Sequence, residues 1–359
     1  MAGAPVDRVP LHTILIPLFG LAAWLLLGEP GTVPLILVLA ALLLGNVVAA
    51  VHHAEVVALR LGEPFGTLVL AFAVTVIEVG LIISTMLGGK ANPALLRDSV
   101  HAVVMLVLHG LAGLCILVAA LRTREAEFRV EGASAFLSVL IPMAMLVLVL
   151  PNFVVSVPGP FYSPLQLGFV SVACLGLYLA FLFIQTNWHQ AYFLPVGEDA
   201  AAGHARPEAR IALASLFLLV AALLSVVLLA KRLAPALQAA VEAAGAPPGV
   251  VGVVIAAIVL LPETAAAVRA AARDRLQASI NLALGSAIAS IGLAVPAVAL
   301  VASRLGQPLE LGVTAGAAML LALGFVVAII TYGTGRTNLL SGIVHLVLLA
   351  TWIFTVFAP

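Results

Sequence analysis

An all-α polytopic membrane protein is the architecture predicted here: about 11 helices, read as one extra helix plus two inverted five-helix repeats. Three observations carry that reading. Charged residues make up 9% of the 359-residue chain and hydrophobic ones 64%, where a soluble domain carries roughly 25% charged residues. The apolar stretches run for roughly 18 to 25 residues, the length a helix needs to cross a bilayer, and show little of the alternation expected of a barrel strand. Two acids, Glu78 and Glu263, interrupt such stretches at matching places in the two halves.

The first stretch, 11–28, follows Arg8 and resembles a signal peptide, but it is long for one. Gly28-Glu29-Pro30-Gly31 offers no small-residue cleavage pattern, so it is expected to stay as a helix. Further spans are expected at 33–59, 65–87, 98–121, 134–151, 164–184, 209–230, 249–270, 276–302, 310–332 and 338–357. One long polar connection, 185–208, holds Glu198, Asp199, His204 and Arg206 and divides the chain. The organisation is therefore an extra helix at 1–31, a first repeat at 32–184, a polar cytoplasmic linker at 185–208 and a second repeat at 209–359.

Five helices per half is an odd number, so the halves enter the membrane in opposite senses. Repeats of that kind build secondary transporters with a midplane site. Short internal matches agree: Ser99 and His101 after the first acid pair with Ser279 and Asn281 after the second. Of the 16 Lys and Arg, eleven fall in connections on the N-terminal side and five on the other. Basic loops stay in the cytoplasm, which places the N-terminus inside and, after eleven spans, the C-terminus outside. Formal net charge is zero, giving no sign of nucleic-acid binding. Cys115 and Cys174 both lie in apolar spans and read as packing residues rather than a disulfide or metal pair.

A carboxylate within hydrocarbon costs about 3 kcal/mol or more, so such residues mark ion or proton paths. Thr75, Glu78 and Thr85 share one helical face, an oxygen-rich arrangement suited to hard cations such as Ca²⁺ or Na⁺. The competing reading is an acid hydrogen-bonded to a neighbouring helix for structure alone. Pro262 cannot donate to the Ile258 carbonyl, which leaves a free oxygen near Glu263, and Thr264 adds a hydroxyl. Ser279, Ser286 and Ser290 share a face with Gly285 and Gly292 nearby; they complete an ion site or simply pack helices. His52, His53 and Glu55 lack the spacing of a catalytic metal site. They relay protons, since histidine titrates near neutrality, or are interfacial polar residues. His101 is favoured as functional through its match with Asn281, whereas His109 and His345 read as structural.

The stretch Val51-His52-His53-Ala54-Glu55 through Leu61-Gly62-Glu63-Pro64-Phe65-Gly66-Thr67, then Val76-Ile77-Glu78-Val79, resembles the bacterial calcium/proton antiporters of the ChaA type. So do Leu261-Pro262-Glu263, Gln277-Ala278-Ser279-Ile280-Asn281-Leu282 with Gly285-Ser286, and Thr334-Gly335-Arg336-Thr337-Asn338. These belong to the cation/proton exchanger family of the calcium/cation antiporter superfamily. The resemblance implies that Glu78 and Glu263 are paired acids binding cation and protons in turn, in a multi-pass protein of the bacterial inner membrane. The broader family places Gly-Asn a few residues before each acid; here Val74-Thr75 and Leu260 stand there, and Lys231 replaces an expected acid. The ChaA branch handles Na⁺ and K⁺ as well as Ca²⁺, so both exchanges stay open.

No G-x-x-x-x-G-K-[ST] loop occurs, so an ion gradient rather than ATP must drive transport, and no cofactor is called for. The expected partners are inorganic cations, protons and the lipid bilayer. A passive cation channel also places acids in a pore. A membrane-embedded hydrolase needs a nucleophile–base pair or metal triad, and no such spacing stands out; the chain is not expected to be an enzyme.

Overall fold

The computed structural model describes residues 9–28, 30–61, 65–88, 92–194 and 207–358. Helices dominate: α1 (Leu11–Leu26), α2 (Val33–Leu61), α3 (Phe65–Gly88), α4 (Leu95–Thr123), α5 (Val130–Asn152), α6 (Pro164–Trp188), α7 (Ala209–Ala243), α8 (Gly249–Ala271), α9 (Leu276–Leu305), α10 (Ala315–Tyr332) and α11 (Leu339–Phe357). Among the described residues, eight of them are long and apolar enough to cross a membrane, and α8 makes a ninth when counted through its bend. The 16 residues of α1 extend about 24 Å, short of a full hydrocarbon layer.

Several boundaries differ from expectation, each for a local reason. The seventh span was expected to end at 230, before Lys231 and Arg232, yet α7 runs on to Ala243. Arg232 explains this by donating to the carbonyls of Ala23 and Leu27 at the end of α1, where a cation meets the negative end of a helix dipole. The tenth span begins at Ala315 rather than 310, because Thr314 caps it by accepting from the Ala317 amide. The first part of the expected linker is structured, since α6 continues to Trp188 and a 3₁₀ turn covers Gln190–Phe193. Glu198, Asp199, His204 and Arg206, like Arg8, Lys90 and Gly62-Glu63-Pro64, lie outside the described residues.

Two features have no clear signature in the letters. Glu125–Glu127 (β1) and Arg336–Asn338 (β2) form a two-stranded antiparallel ribbon, with Ala126 opposite Thr337; three residues are too few to show a period-two pattern. The helices also contain single π turns at Leu106–Leu111, Met145–Val149, Ile184–Trp188 and Ser290–Ala294. Each breaks the regular ladder by one residue, a feature that concentrates at functional sites.

The chain forms two compact units. One comprises α1, α2, α3 and α7, and the other comprises α4 to α6, α8 to α11 and the ribbon. In the first unit the core is Leu39, Leu43, Val47, Leu219 and Val226 with their neighbours. In the second it is built from Val104, Leu108, Phe136, Leu140, Ile288 and Phe325. Large exposed apolar side chains such as Leu26, Phe169, Phe217 and Ile330 suit a hydrocarbon surround. Cys115 and Cys174 are buried free thiols.

Candidate functional site

In the first unit α3 sets Glu78 by close packing on α7. A Cβ at Gly80 would lie 2.4 Å from Val227 Cγ2, so only glycine permits this approach. One turn on, Ser84 Oγ donates to the Val227 carbonyl at 3.2 Å. Gly80 and Ser84 thus face α7, and helical periodicity turns Thr75 and Glu78 to the opposite side. Glu78 is 1% exposed and Thr75 6%, so the acid and its hydroxyl neighbour are both removed from solvent. The side chain of Thr85 lies outside the described residues.

The histidine cluster in this unit divides on inspection. His53 is fully buried, and its Nε2 lies 3.0 Å from the Thr13 carbonyl. A carbonyl only accepts, so this nitrogen carries the hydrogen. Pro17, four residues after Thr13, has no N–H to offer that carbonyl; His53 replaces the missing donor. Asn46 Nδ2 donates to Leu42 O at 2.7 Å and to Ile16 O at 3.4 Å, giving α1 and α2 a second polar link. His52 is half-buried, edge-on to His53 with ring centroids 5.4 Å apart, and Glu55 is exposed.

In the second unit α8 carries Glu263, 6% exposed. The helix bends by 53° between its Gly249–Leu261 and Glu263–Ala271 parts, at the proline that interrupts the ladder. Thr264 Oγ1 donates to the Leu260 carbonyl at 2.7 Å. At one end α8 rests on the start of α4, where a Cβ at Gly252 would lie 2.7 Å from Asp98 Cβ. At the other end Ser279 Oγ donates to the Ala267 carbonyl at 2.7 Å, tying α9 to α8. Glu78 and Glu263 are the only Asp, Glu, Lys or Arg residues among the buried described side chains.

The supporting residues spread over distinct roles. Ser279 is fully buried, Ser290 is buried at the start of its π turn, and Ser286 and Gly285 are half-buried. Asn281 is engaged at both ends, donating to Phe193 O at 2.5 Å and accepting from Gln277 Nε2 at 2.7 Å. Gln277 in turn accepts from the Arg129 amide at 2.7 Å, so Asn281 belongs to a network that fixes the start of α9. Its sequence counterpart His101 packs edge-on to Trp352, with ring centroids 5.7 Å apart. Ser99 is fully buried, without a hydrogen-bond partner for its hydroxyl among the described residues. No group of three His, Cys, Asp or Glu suited to a metal occurs among the described residues.

Two polar clusters join residues that the sequence reading had not brought together. Arg97 Nε donates to Asp98 Oδ1 at 2.8 Å, and its NH1 donates to Glu310 and, at 3.4 Å, to the Gly312 carbonyl. Arg97, Glu310 and Gly312 of this cluster, with Asn152 and Thr314, line a cavity of about 560 Å³. The second is His109 with His345, joined at 2.9 Å. Arg97 and Glu310 lie 213 residues apart and His109 and His345 236 apart, so no local pattern reveals these pairings.

A helical bundle with two buried carboxylates on apolar helices, one of them bent beside its acid, has the make-up of a multi-pass membrane transporter. Comparison with known proteins places it further. The model of the family described as sodium/calcium exchanger protein matches residues 32–187 and 214–358, and the chain belongs to that family. It is 48% identical over 357 residues to the putative ionic transporter y4hA of Sinorhizobium fredii, covering 98% of this chain and 95% of that one. It is 32% identical over 354 residues to the sodium-potassium/proton antiporter ChaA of Escherichia coli, covering 96% of each. Among solved structures, native YfkE has the same fold, with a TM-score of 0.74 at 18% identity over 97% of this chain and 99% of that one. The protein is thus a transmembrane cation exchanger, and cations and protons are what such antiporters move.

Proposed function

We propose that this protein exports Ca²⁺ in exchange for H⁺ by alternating access, with Glu78 and Glu263 taking cation and protons in turn. The observation that carries the reading is the burial of these two carboxylates, each on an apolar helix with a hydroxyl one to three residues away. A buried carboxylate is tolerable when it holds a cation or a proton and costly when it holds neither. Competition for the same negative charge then couples the two fluxes. Protons arriving from outside neutralise the acids and displace the cation outward; release of those protons inside lets the next cation bind. The match of one family model to 32–187 and again to 214–358 supports two repeats. His52, His53 and Glu55 are assigned to proton movement, and Thr75 and Ser286 to the cation shell.

A second reading, Na⁺ or K⁺ exchange for H⁺, is favoured by Thr75, where an amide oxygen would better suit a Ca²⁺ shell. One relative is named a sodium-potassium/proton antiporter and the structural neighbour YfkE a Ca²⁺/H⁺ antiporter. The test is a proteoliposome assay with an imposed pH gradient, comparing Ca²⁺, Na⁺ and K⁺. Glu78→Gln and Glu263→Gln keep side-chain size, and each is expected to abolish cation-dependent proton movement in a folded protein. Normal exchange by either variant removes that carboxylate from the mechanism. Cation flux without a proton gradient would indicate a channel. In the same vesicles Thr75→Asn should lower the half-saturating Ca²⁺ concentration relative to that for Na⁺ and K⁺. A proportional change for all three makes Thr75 a packing residue.

A further inference from the structure

We propose that His109 and His345 form a second proton-holding centre of this transporter, outside the two glutamates and in the unit that carries Glu263. The inference rests on the antiporter reading above. Both rings are fully buried, and Nδ1 of one lies 2.9 Å from Nδ1 of the other. At that distance one nitrogen donates and the other accepts, so the pair shares a single hydrogen. His345 Nε2 lies 3.1 Å from Thr331 Oγ1, which gives that ring a second partner. His109 Nε2 has no partner among the described residues, although it is fully buried.

The fold brings the rings together by two local devices. His109 sits in the π turn Leu106–Leu111 of α4, which rotates its side chain relative to a regular helix. At the next turn α4 and α11 touch backbone to backbone: a Cβ at Gly113 would lie 2.9 Å from His345 Cβ and 3.2 Å from the Gly342 carbonyl. Opposite His109, α10 presents Gly324, where a Cβ would lie 2.3 Å from His109 Nε2. A side chain at 324 is therefore excluded from the place that the unpartnered nitrogen faces. Buried polar atoms in this situation are normally met by water, and water is the means by which a proton reaches them.

The position suits coupling. The starts of α4 and α8 adjoin at Asp98 and Gly252, and the later half of α4 also packs on α8, so the two helices run in parallel. Eleven residues on from that crossing stand His109 on one helix and Glu263 on the other, about 16 Å along the axis. The pair and the carboxylate thus lie at similar depth in one unit. The elements packed against the π turn, besides the rest of α4, are α8, α9, α10 and α11. Their titratable groups are Arg97, Asp98, His101, Cys115 and Arg122 on α4, Glu263 and Arg269 on α8, Arg304 on α9 and Tyr332 on α10. Glu263 is the only carboxylate of this set away from the helix ends.

The proton balance is simple. The neutral pair has two tautomers; in the one with His109 Nδ1 donating to His345 Nδ1, the bare His109 Nε2 takes one proton from water and the pair becomes a hydrogen-bonded imidazolium–imidazole. Loss of that proton to water restores the starting state. The positive pair repels a metal cation held at the depth of Glu263, so proton uptake weakens cation binding, and by linkage the reverse also holds.

The test compares the wild type with the double variant His109→Gln/His345→Asn in proteoliposomes, measuring the half-saturating cation concentration from pH 5 to pH 8. The slope of its logarithm against pH should fall by about one in the variant, a tenfold smaller change per pH unit, while affinity at pH 8 stays within about twofold. An unchanged slope, including one accompanied by lower turnover, makes the pair structural and overturns the proposal. A second measurement needs neither transport nor the variant. Nitrogen-15 spectra of histidine-labelled wild type, assigned by single substitutions, should show the His109 Nε2 signal change from bare to protonated between pH 8 and pH 5. A signal that stays constant overturns the proposal even if exchange is confirmed. If the wild type exchanges no cation for protons, the antiporter reading fails while the spectra still decide the pair.

Discussion

At the scale of single residues, a buried polar group can be explained by what the backbone around it lacks. His53 shows it most directly. Pro17 leaves the Thr13 carbonyl without its helical donor, and His53 Nε2 supplies one at 3.0 Å. His53→Ala should therefore strand a buried carbonyl at a cost of about 1–3 kcal/mol, seen as a lower melting temperature in detergent. His53→Gln, which still offers an N–H, should recover most of it. Transport separates this role from a proton relay: if Gln restores stability and leaves the pH dependence of exchange intact, His53 holds α1 in place and moves no proton. The burial of Glu78 and Glu263 was legible in the sequence because both stand within apolar spans. The engagement of Asn281 with Phe193 and Gln277 was not legible, since an amide in a sequence looks the same whether it faces an ion or ties down a turn.

At the scale of elements, apolar length alone located the helices, because a bilayer demands continuous runs and tolerates few breaks. What length could not supply was the behaviour of their ends. The sequence reading ended a helix at Lys231, but charge at a helix end is a stop only when it has nothing to pair with, and Arg232 has the carbonyls of α1. It also missed the π turns, which arise from side chains packed between helices and leave no periodic trace. The Arg97 cluster joins the start of α4 to the segment before α10 through Asp98 and Glu310. Its side chains keep between 14% and 30% of their exposure, so solvent moderates the interaction. Arg97→Gln, which leaves two neighbouring carboxylates without their cation, should cost about 1–3 kcal/mol, less than the loss of a fully buried pair. Arg97→Lys should recover only part, since an ammonium lacks the forked geometry that reaches both acids. Thermal unfolding of the three proteins side by side checks the order; equal melting temperatures would make the cluster a surface feature without structural weight.

At the scale of the whole molecule, each compact unit takes helices from both halves of the sequence: α7 belongs with α1 to α3, while α4 to α6 belong with α8 to α11. The proposed repeats at 32–184 and 209–359 thus do not coincide with the packing units, and this grouping of helices leaves no trace in the order of spans. Orientation is the remaining property of the chain as a whole, and charge is what bears on it. We propose the orientation from the basic bias: with eleven Lys and Arg on one side against five on the other, the ribbon strand Glu125–Glu127 would face the cytoplasm. From there α5, 23 residues long, extends about 34 Å, enough to carry the chain across, and delivers the segment after Asn152 to the outside. Both ends offer exposed positions, Glu125 in the ribbon and Val155 at 94% exposure. In a background with Cys115 and Cys174 replaced by alanine, Val155→Cys should react with an impermeant thiol reagent added to intact cells. Glu125→Cys should react only after the membrane is opened. The reverse pattern would turn the molecule over and, with it, the direction in which protons reach Glu78 and Glu263.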